Sequence, residues 1–186
     1  MASSKLSLIN NALILIGDRP LTSLTDGTRA QIVATNLYDN VVENELSKHR
    51  WGFARKKIEI SKDAVPPVGD EWQSKYNLPG DLITLIRLEP SIPYQVFTGT
   101  VHCNYSGTLY AEYIYKPSEG TWPPYFAKLI EYALAMDFAP AIRDSATSME
   151  LTANQYQNAS RMARYTDSQQ HPQTSIAYRP FIDVRF

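Results

Sequence analysis

The stretch Thr121-Trp122-Pro123-Pro124-Tyr125-Phe126-Ala127-Lys128-Leu129-Ile130-Glu131-Tyr132-Ala133-Leu134-Ala135-Met136-Asp137-Phe138-Ala139-Pro140 decides the architecture. Thr121 is a good helix cap, and proline is tolerated in a first helical turn, where its missing N–H would have no partner anyway. From 125 to 139 the segment is apolar on nearly every side, broken mainly by Lys128, Glu131 and Asp137. A helix that is apolar all round is central to its fold, so the other elements must pack on this one. Pro140 is placed to kink or end it.

Working outward, a helix is expected over residues 145–165. Its narrow apolar seam is Ala146, Met149, Ala153, Tyr156 and Ala163, and the rest is Thr, Asn, Gln, Ser and Arg. That pattern suits packing on one side and water on the others. Toward the N-terminus, Leu6, Ile9, Leu13 and Ile16 recur at helical spacing and Gly17 is a natural stop, which gives a helix over 4–16. A Pro-, Asp- and Gly-containing loop follows. Thr28 and Gln31 then form a capping-box pair for a helix running to His49, with Ala30, Val33, Ala34, Leu37 and Val41 as its stripe. From Trp51 the period shifts toward alternation, with Trp51 and Phe53, then Ile58 and Ile60, each two apart. Strands are expected over 82–88, 94–98, 100–105 and 109–115. Gly99 and Ser106-Gly107 between them suggest antiparallel hairpins. The last strand is the clearest: Leu109, Ala111, Tyr113 and Tyr115 face one way, and Tyr110, Glu112 and Ile114 the other. With helices at both ends and strands between, the class is α+β.

The 186 residues carry 18 Lys and Arg against 19 Asp and Glu, a net charge of −1. A bulk electrostatic binder of nucleic acid normally shows a strong basic excess, so that class is disfavoured. No run of apolar residues approaches a membrane span, and the apolar run at 12–16 is too short for a signal-peptide core. A single cysteine, Cys103, excludes an internal disulfide framework, and the expectation is a soluble protein made in a reducing compartment. With 12 tyrosines and only 8 glycines, glycine-rich phosphate loops are disfavoured and tyrosine is free to serve surfaces as well as a core.

Catalytic and metal constellations are weak. The histidines are His49, His102 and His171; His102 and Cys103 are strand neighbours that point to opposite faces and cannot chelate one ion without a bulge. His49 reads as a cation at a helix C-terminus and Cys103 as a small buried side chain. No Gly-x-Ser-x-Gly turn, Walker loop or dinucleotide fingerprint is present. No catalytic residue, metal ligand or cofactor is assigned. Carboxylate neighbours such as Glu43 with Glu45, or Asp70 with Glu71, read as solvated. The triplet Arg55-Lys56-Lys57 is a modest cationic cluster, either a nucleic-acid contact or a solvated face. Asp137 falls on the apolar stripe of the central helix and must find a partner or have its pKa pushed upward. It is expected to form a buried or subunit-interface ion pair, with Arg19, Arg87 and Arg143 as candidates; the other reading is a perturbed acid in a cleft.

From Asp167 no helical period is visible. This stretch, 167–186, concentrates Ile176, Tyr178, Phe181, Ile182, Val184 and Phe186, whereas a disordered terminus is usually poor in such residues. Phe181, Asp183 and Arg185 alternate with Ile182, Val184 and Phe186, a strand pattern. The stretch is therefore expected to be an extended arm. Those six apolar residues are the candidate contact with another subunit, to which the stretch would add as a strand, rather than a fold-back onto the same domain.

The opening Ile9-Asn10-Asn11-Ala12-Leu13-Ile14-Leu15-Ile16-Gly17-Asp18-Arg19-Pro20-Leu21-Thr22-Ser23-Leu24 resembles the start of the tail tubular protein A family, the head-to-tail adaptors (connectors) of short-tailed bacteriophages. Similar too are Ser47-Lys48-His49-Arg50-Trp51-Gly52-Phe53-Ala54, the stretch from Trp72 to Leu78-Pro79-Gly80-Asp81, and the late alanine-rich helix ending at Ala139. The resemblance covers most of residues 6–165 through the order and spacing of these segments, and does not extend past Asp167. It implies a non-enzymatic virion protein of the viral tail, made in the host cytoplasm. Twelve copies would form a dodecamer ring below the portal protein. DNA would pass through the lumen during ejection, and a nozzle-type tail protein would dock beneath. It also implies an α-helical bundle with a β-rich insertion, which here would be a bundle over 1–50 and 121–166 and an antiparallel β-rich insertion over 51–120; the extended C-terminal arm (167–186) is read from the residues alone. A near-neutral charge suits such a conduit, since a lumen that gripped phosphates would stall DNA. Two readings from other classes stand beside it: a tail-associated cell-wall hydrolase using a Glu or Asp acid, and a carbohydrate- or receptor-binding module using the tyrosine-rich strands.

Overall fold

The computed structural model describes residues 4–69, 71–143 and 146–170. Among the described residues helix accounts for 48% and antiparallel sheet for 19%, so the class is α+β. In chain order two helices, α1 (Lys5–Leu15) and α2 (Arg29–Ser47), come first. Six strands follow: β1 (Arg55–Ile60), β2 (Ser74–Asn77), β3 (Thr84–Glu89), β4 (Tyr94–Phe97), β5 (Thr100–Cys103) and β6 (Leu109–Ile114). The helices α3 (Pro124–Phe138) and α4 (Ala146–Gln169) complete the described chain.

The helix ends follow local chemistry. Ser4 caps α1 reciprocally with Ser7, at 3.1 and 2.8 Å, and Gly17 breaks the chain away at φ 74°. Thr28 accepts from the Gln31 amide at 3.2 Å, but the Gln31 side chain reaches forward to Thr35 instead of back, so only half of the expected capping box forms. The residue before α3 is Pro123, not Thr121. Thr121 ends a short 3-10 turn, Glu119–Thr121, and its hydroxyl donates to Ser118 O at 2.8 Å. Pro140 does interrupt the helix: it lies in a π turn, Ala139–Arg143, directly after α3.

As its all-round apolar sequence requires, α3 packs against α1, α2 and α4. Phe126, Leu129, Ile130, Leu134 and Phe138 are buried with Leu8, Ile9 and Leu13 of α1, Tyr38, Val42 and Leu46 of α2, and Trp51. Trp51 and Phe53, expected on a strand, flank or occupy a 3-10 turn, Gly52–Ala54, and meet Phe126 at ring distances of 5.1 and 4.8 Å.

The strands form two antiparallel three-stranded sheets, ordered β1-β6-β3 and β2-β5-β4. Ile60, Leu88, Leu109, Ala111 and Tyr113 of the first and Tyr76, Val101 and Cys103 of the second share one core. Residues 61–63 join the sheets along one side: Asn77 N donates to Ser61 O at 3.0 Å and Asp63 N to Lys75 O at 2.8 Å. The turn at Thr98-Gly99, with φ 41° and 75°, makes β4 and β5 a hairpin. The link at Ser106-Gly107 does not make one, because β5 and β6 belong to different sheets. A Cβ at Gly107 would sit 2.6 Å from the Tyr105 hydroxyl oxygen, so that ring would have to shift, and the Gly107 carbonyl accepts from Tyr76 Oη at 2.7 Å. In β6, Leu109, Ala111 and Tyr113 point into the sheet core as their alternation predicts. Ile114, expected on the opposite face, is there, and that face is buried at this point in the helical core.

Candidate interaction surfaces

The helix α4 buries small and polar side chains and exposes large apolar ones. Thr152, Ser160, Ala163 and Asp167 are buried, whereas Met162 is 62% and Tyr165 61% exposed, with Leu151 and Met149 also outside. Met149 was expected in the buried seam and is not there. The exposed face runs Leu151, Gln155, Asn158, Met162, Tyr165, at alternating spacings of four and three, so one helix carries two stripes. Close approach to α3 selects small residues on one stripe, and the other stays free. Between α3 and α4 lies an open groove of about 430 Å³ whose lining includes Tyr125, Lys128, Tyr132, Ala159 and Met162.

Two polar anchors hold α4 in place. Asp167 is 1% exposed and accepts from Tyr125 Oη at 2.8 Å and from Gly52 N at 3.1 Å, with His49 Nε2 at 3.3 Å. These bonds explain why the helix continues to Gln169, past the Asp167 start expected for the arm. Farther along, Glu45 of α2, 2% exposed, accepts from Lys48 Nζ at 2.6 Å and from Tyr156 Oη at 2.8 Å through Oε1, while Oε2 is buried without a hydrogen bond. Glu45, expected to be solvated, is thus a buried link between α2 and α4.

Asp137 is half-buried near this link. Burial pushes its carboxyl above the ordinary carboxylate range, Lys48 opposes the shift and Glu45 adds to it. Among the described residues it forms no ion pair. Arg87, one expected partner, is taken by Glu112 at 2.6 Å, and nothing joins Asp137 to Arg19. The side chain of Arg143 lies outside the described residues.

The second surface is on β4, the last strand of its sheet. Tyr94, Gln95, Val96 and Phe97 are all exposed. Beside it, the ring of Phe97 lies 4.8 Å from that of His102. His102 and Cys103 point to opposite faces, and Cys103 is buried. No group of three His, Cys, Asp or Glu residues suited to a metal ion occurs among the described residues. The cationic triplet is paired within the chain: Arg55 with Glu112 at 3.5 Å, Lys56 with Asp81 at 2.9 Å, and Lys57 with Glu89. The candidate arm contacts Ile176, Tyr178, Phe181, Ile182, Val184 and Phe186 lie outside the described residues, as do His171 and Asp70.

Sequence reasoning missed Glu45, Asp167, Met162, Tyr165 and the exposed β4. The signal for α4 was its second stripe: three large apolar residues at heptad-like spacing among polar ones. No protein-family model matches the chain, and no curated protein matches it in sequence.

Proposed function

We propose that this chain is a structural subunit of a phage head-to-tail adaptor: a helical bundle, interrupted by a β-rich insertion, that assembles into a ring below the portal protein. The observation that carries the reading is the pair of unlike exposed apolar surfaces, on α4 and on β4. A closed ring needs heterologous contacts, in which one patch of each subunit meets a different patch of the next; a two-fold dimer needs only one self-complementary patch. Large apolar residues exposed on a helix whose buried side is polar are costly unless a partner covers them. The internal pairing of Arg55, Lys56 and Lys57 favours a conduit, because those charges are already neutralised and do not grip phosphates.

On this reading the ring has twelve copies, DNA passes through its lumen during ejection, and a nozzle-type tail protein docks beneath. The chain is then a virion component that does no chemistry. The arm beyond Gln170 engages the portal or the adjacent subunit. Sedimentation of the full chain, alone and with portal protein, tests this. A multimer, or a monomer that becomes a ring on the portal, is the expected result. A chain that stays monomeric in both cases, or one that cleaves peptidoglycan, ends the proposal.

A further inference from the structure

We infer that the outer edge of β4 receives residues 181–186 of a neighbouring copy as an added strand; this rests on the ring reading for the word neighbouring. The argument begins with how each sheet edge is protected. An exposed edge strand offers unpaired N–H and C=O groups and is normally blunted by charge, proline, a bulge or a cover. The edge of β1 carries Arg55, Lys56, Lys57 and Glu59. The edge of β3 is broken by a register shift between Leu85 and Arg87, carries Arg87 and Glu89, and is followed by Pro90. The edge of β2 is covered by residues 61–63. The strand β4 is the least protected: Pro93 precedes it, but Tyr94-Gln95-Val96-Phe97 itself holds no charge and no proline, and its ladder with β5 is unbroken.

The side chains of β4 say what would complete it. Tyr94 pairs with Cys103 and Val96 with Val101, so both lie on the face that carries the fully buried Val101 and Cys103. Yet Tyr94 is 36% and Val96 49% exposed. Apolar core-facing positions are left open at this edge, and an adjoining strand with apolar residues at every second position would close them.

The chain contains such a segment outside the described residues. Ile182, Val184 and Phe186 would continue the Tyr94–Val96 face, and Asp183 and Arg185 would point away from the core. The added strand would become the new edge, and its two charges would supply the protection that β4 lacks. The ten residues 171–180 between α4 and the segment reach about 35 Å at most when extended, enough to cross a subunit boundary. Main-chain bonds would give affinity and the alternate side-chain positions specificity, as in strand addition generally.

The test uses two populations of full chain, each with one new cysteine and a distinct mass tag. One carries Val96→Cys; the other carries Ile182→Cys, Val184→Cys or Phe186→Cys, which covers the possible registers. Mixed, oxidised and run without reductant, at least one pair is expected to give a mixed disulfide dimer. It should form about tenfold or more faster than with the exposed control Val68→Cys, because docking raises the local concentration of the thiols. A double variant such as Val96→Cys with Val184→Cys that instead closes within one chain overturns the neighbouring-copy assignment. If no mixture exceeds the control although sedimentation shows multimers, the strand addition is wrong and the ring reading stands. If the chain is also monomeric with and without portal protein, both are wrong.

Discussion

Tyr125 Oη donates to Asp167 Oδ1 across 2.8 Å, joining the first turn of α3 to the last turn of α4. Burial, and then the hydrogen bond and charge of Asp167, raise the pKa of Tyr125, so the phenol keeps its proton as the donor. Removing a buried acceptor with this many donors leaves them unsatisfied. Asp167→Ala is expected to destabilise the chain by about 2–4 kcal/mol in urea or thermal unfolding. A change under about 0.5 kcal/mol would mean that the bond contributes nothing.

The same anchor predicts where the chain can be shortened. Deleting residues 171–186 is expected to leave the unfolding midpoint nearly unchanged and to weaken assembly. Deleting 167–186 removes Asp167 as well and should lower the midpoint. Equal midpoints for the two truncations would contradict the anchor.

Asp137 gives a pH dependence of definite sign. Its folded-state pKa is raised, chiefly by burial, so the folded chain holds this proton more tightly than the unfolded chain. That contribution is complete below the ordinary carboxylate pKa and is lost as pH rises through the folded value. Relative to Asp137→Asn, the parent chain is therefore expected to lose stability as pH rises above the ordinary carboxylate value of about 4. Thermal melts of both from that value upward check it; a difference that does not change with pH refutes it.

Ile114 tests how the second face of β6 is divided between core and solvent. Since it is buried in the helical core, Ile114→Ala should cost about 2–4 kcal/mol. Tyr110, on the same face of β6, is partly exposed. Tyr110→Ala should be much milder, at about 0.5–1 kcal/mol. Similar costs at both positions would refute the assignment.

The exposed stripe of α4 separates stability from assembly. Met162→Asp and Tyr165→Glu alter residues that are mostly in solvent, so each should change stability by only about 0.5 kcal/mol. Both should reduce the assembled mass seen in sedimentation. Unchanged assembly with an intact fold would remove this face from the interface.

What could be read from sequence followed the strength of each local pattern. The central helix was legible because fifteen nearly uninterrupted apolar positions admit no other place for it, and β6 because its alternation is regular up to Tyr113. The strand β2 was not legible: Ser74-Lys75-Tyr76-Asn77 is too short to show a period and has one apolar residue. The sheet assignment of β5 and β6 was hidden because Ser106-Gly107 suits either a hairpin or a crossing, and the choice is made by Tyr76 reaching the Gly107 carbonyl from another strand. In the candidate surfaces, the sequence marks Asp137 as a carboxyl on an apolar stripe, but the pairing expected for it depends on arginines whose positions are tertiary. Asp167 was invisible because its donors come from residues 49, 52 and 125.

The position of Ile114 also has a mechanical meaning. A single strand runs from the sheet core into the helical core, and the next amide, Tyr115 N, is fastened to Ala54 O at 3.0 Å. A load applied to the sheets therefore travels along the stiff axis of β6 to the aromatic cluster of Trp51 and Phe126. It does not dissipate in a slack tether. On the proposed adaptor reading, the joint would act as a strut between the sheets and the helices.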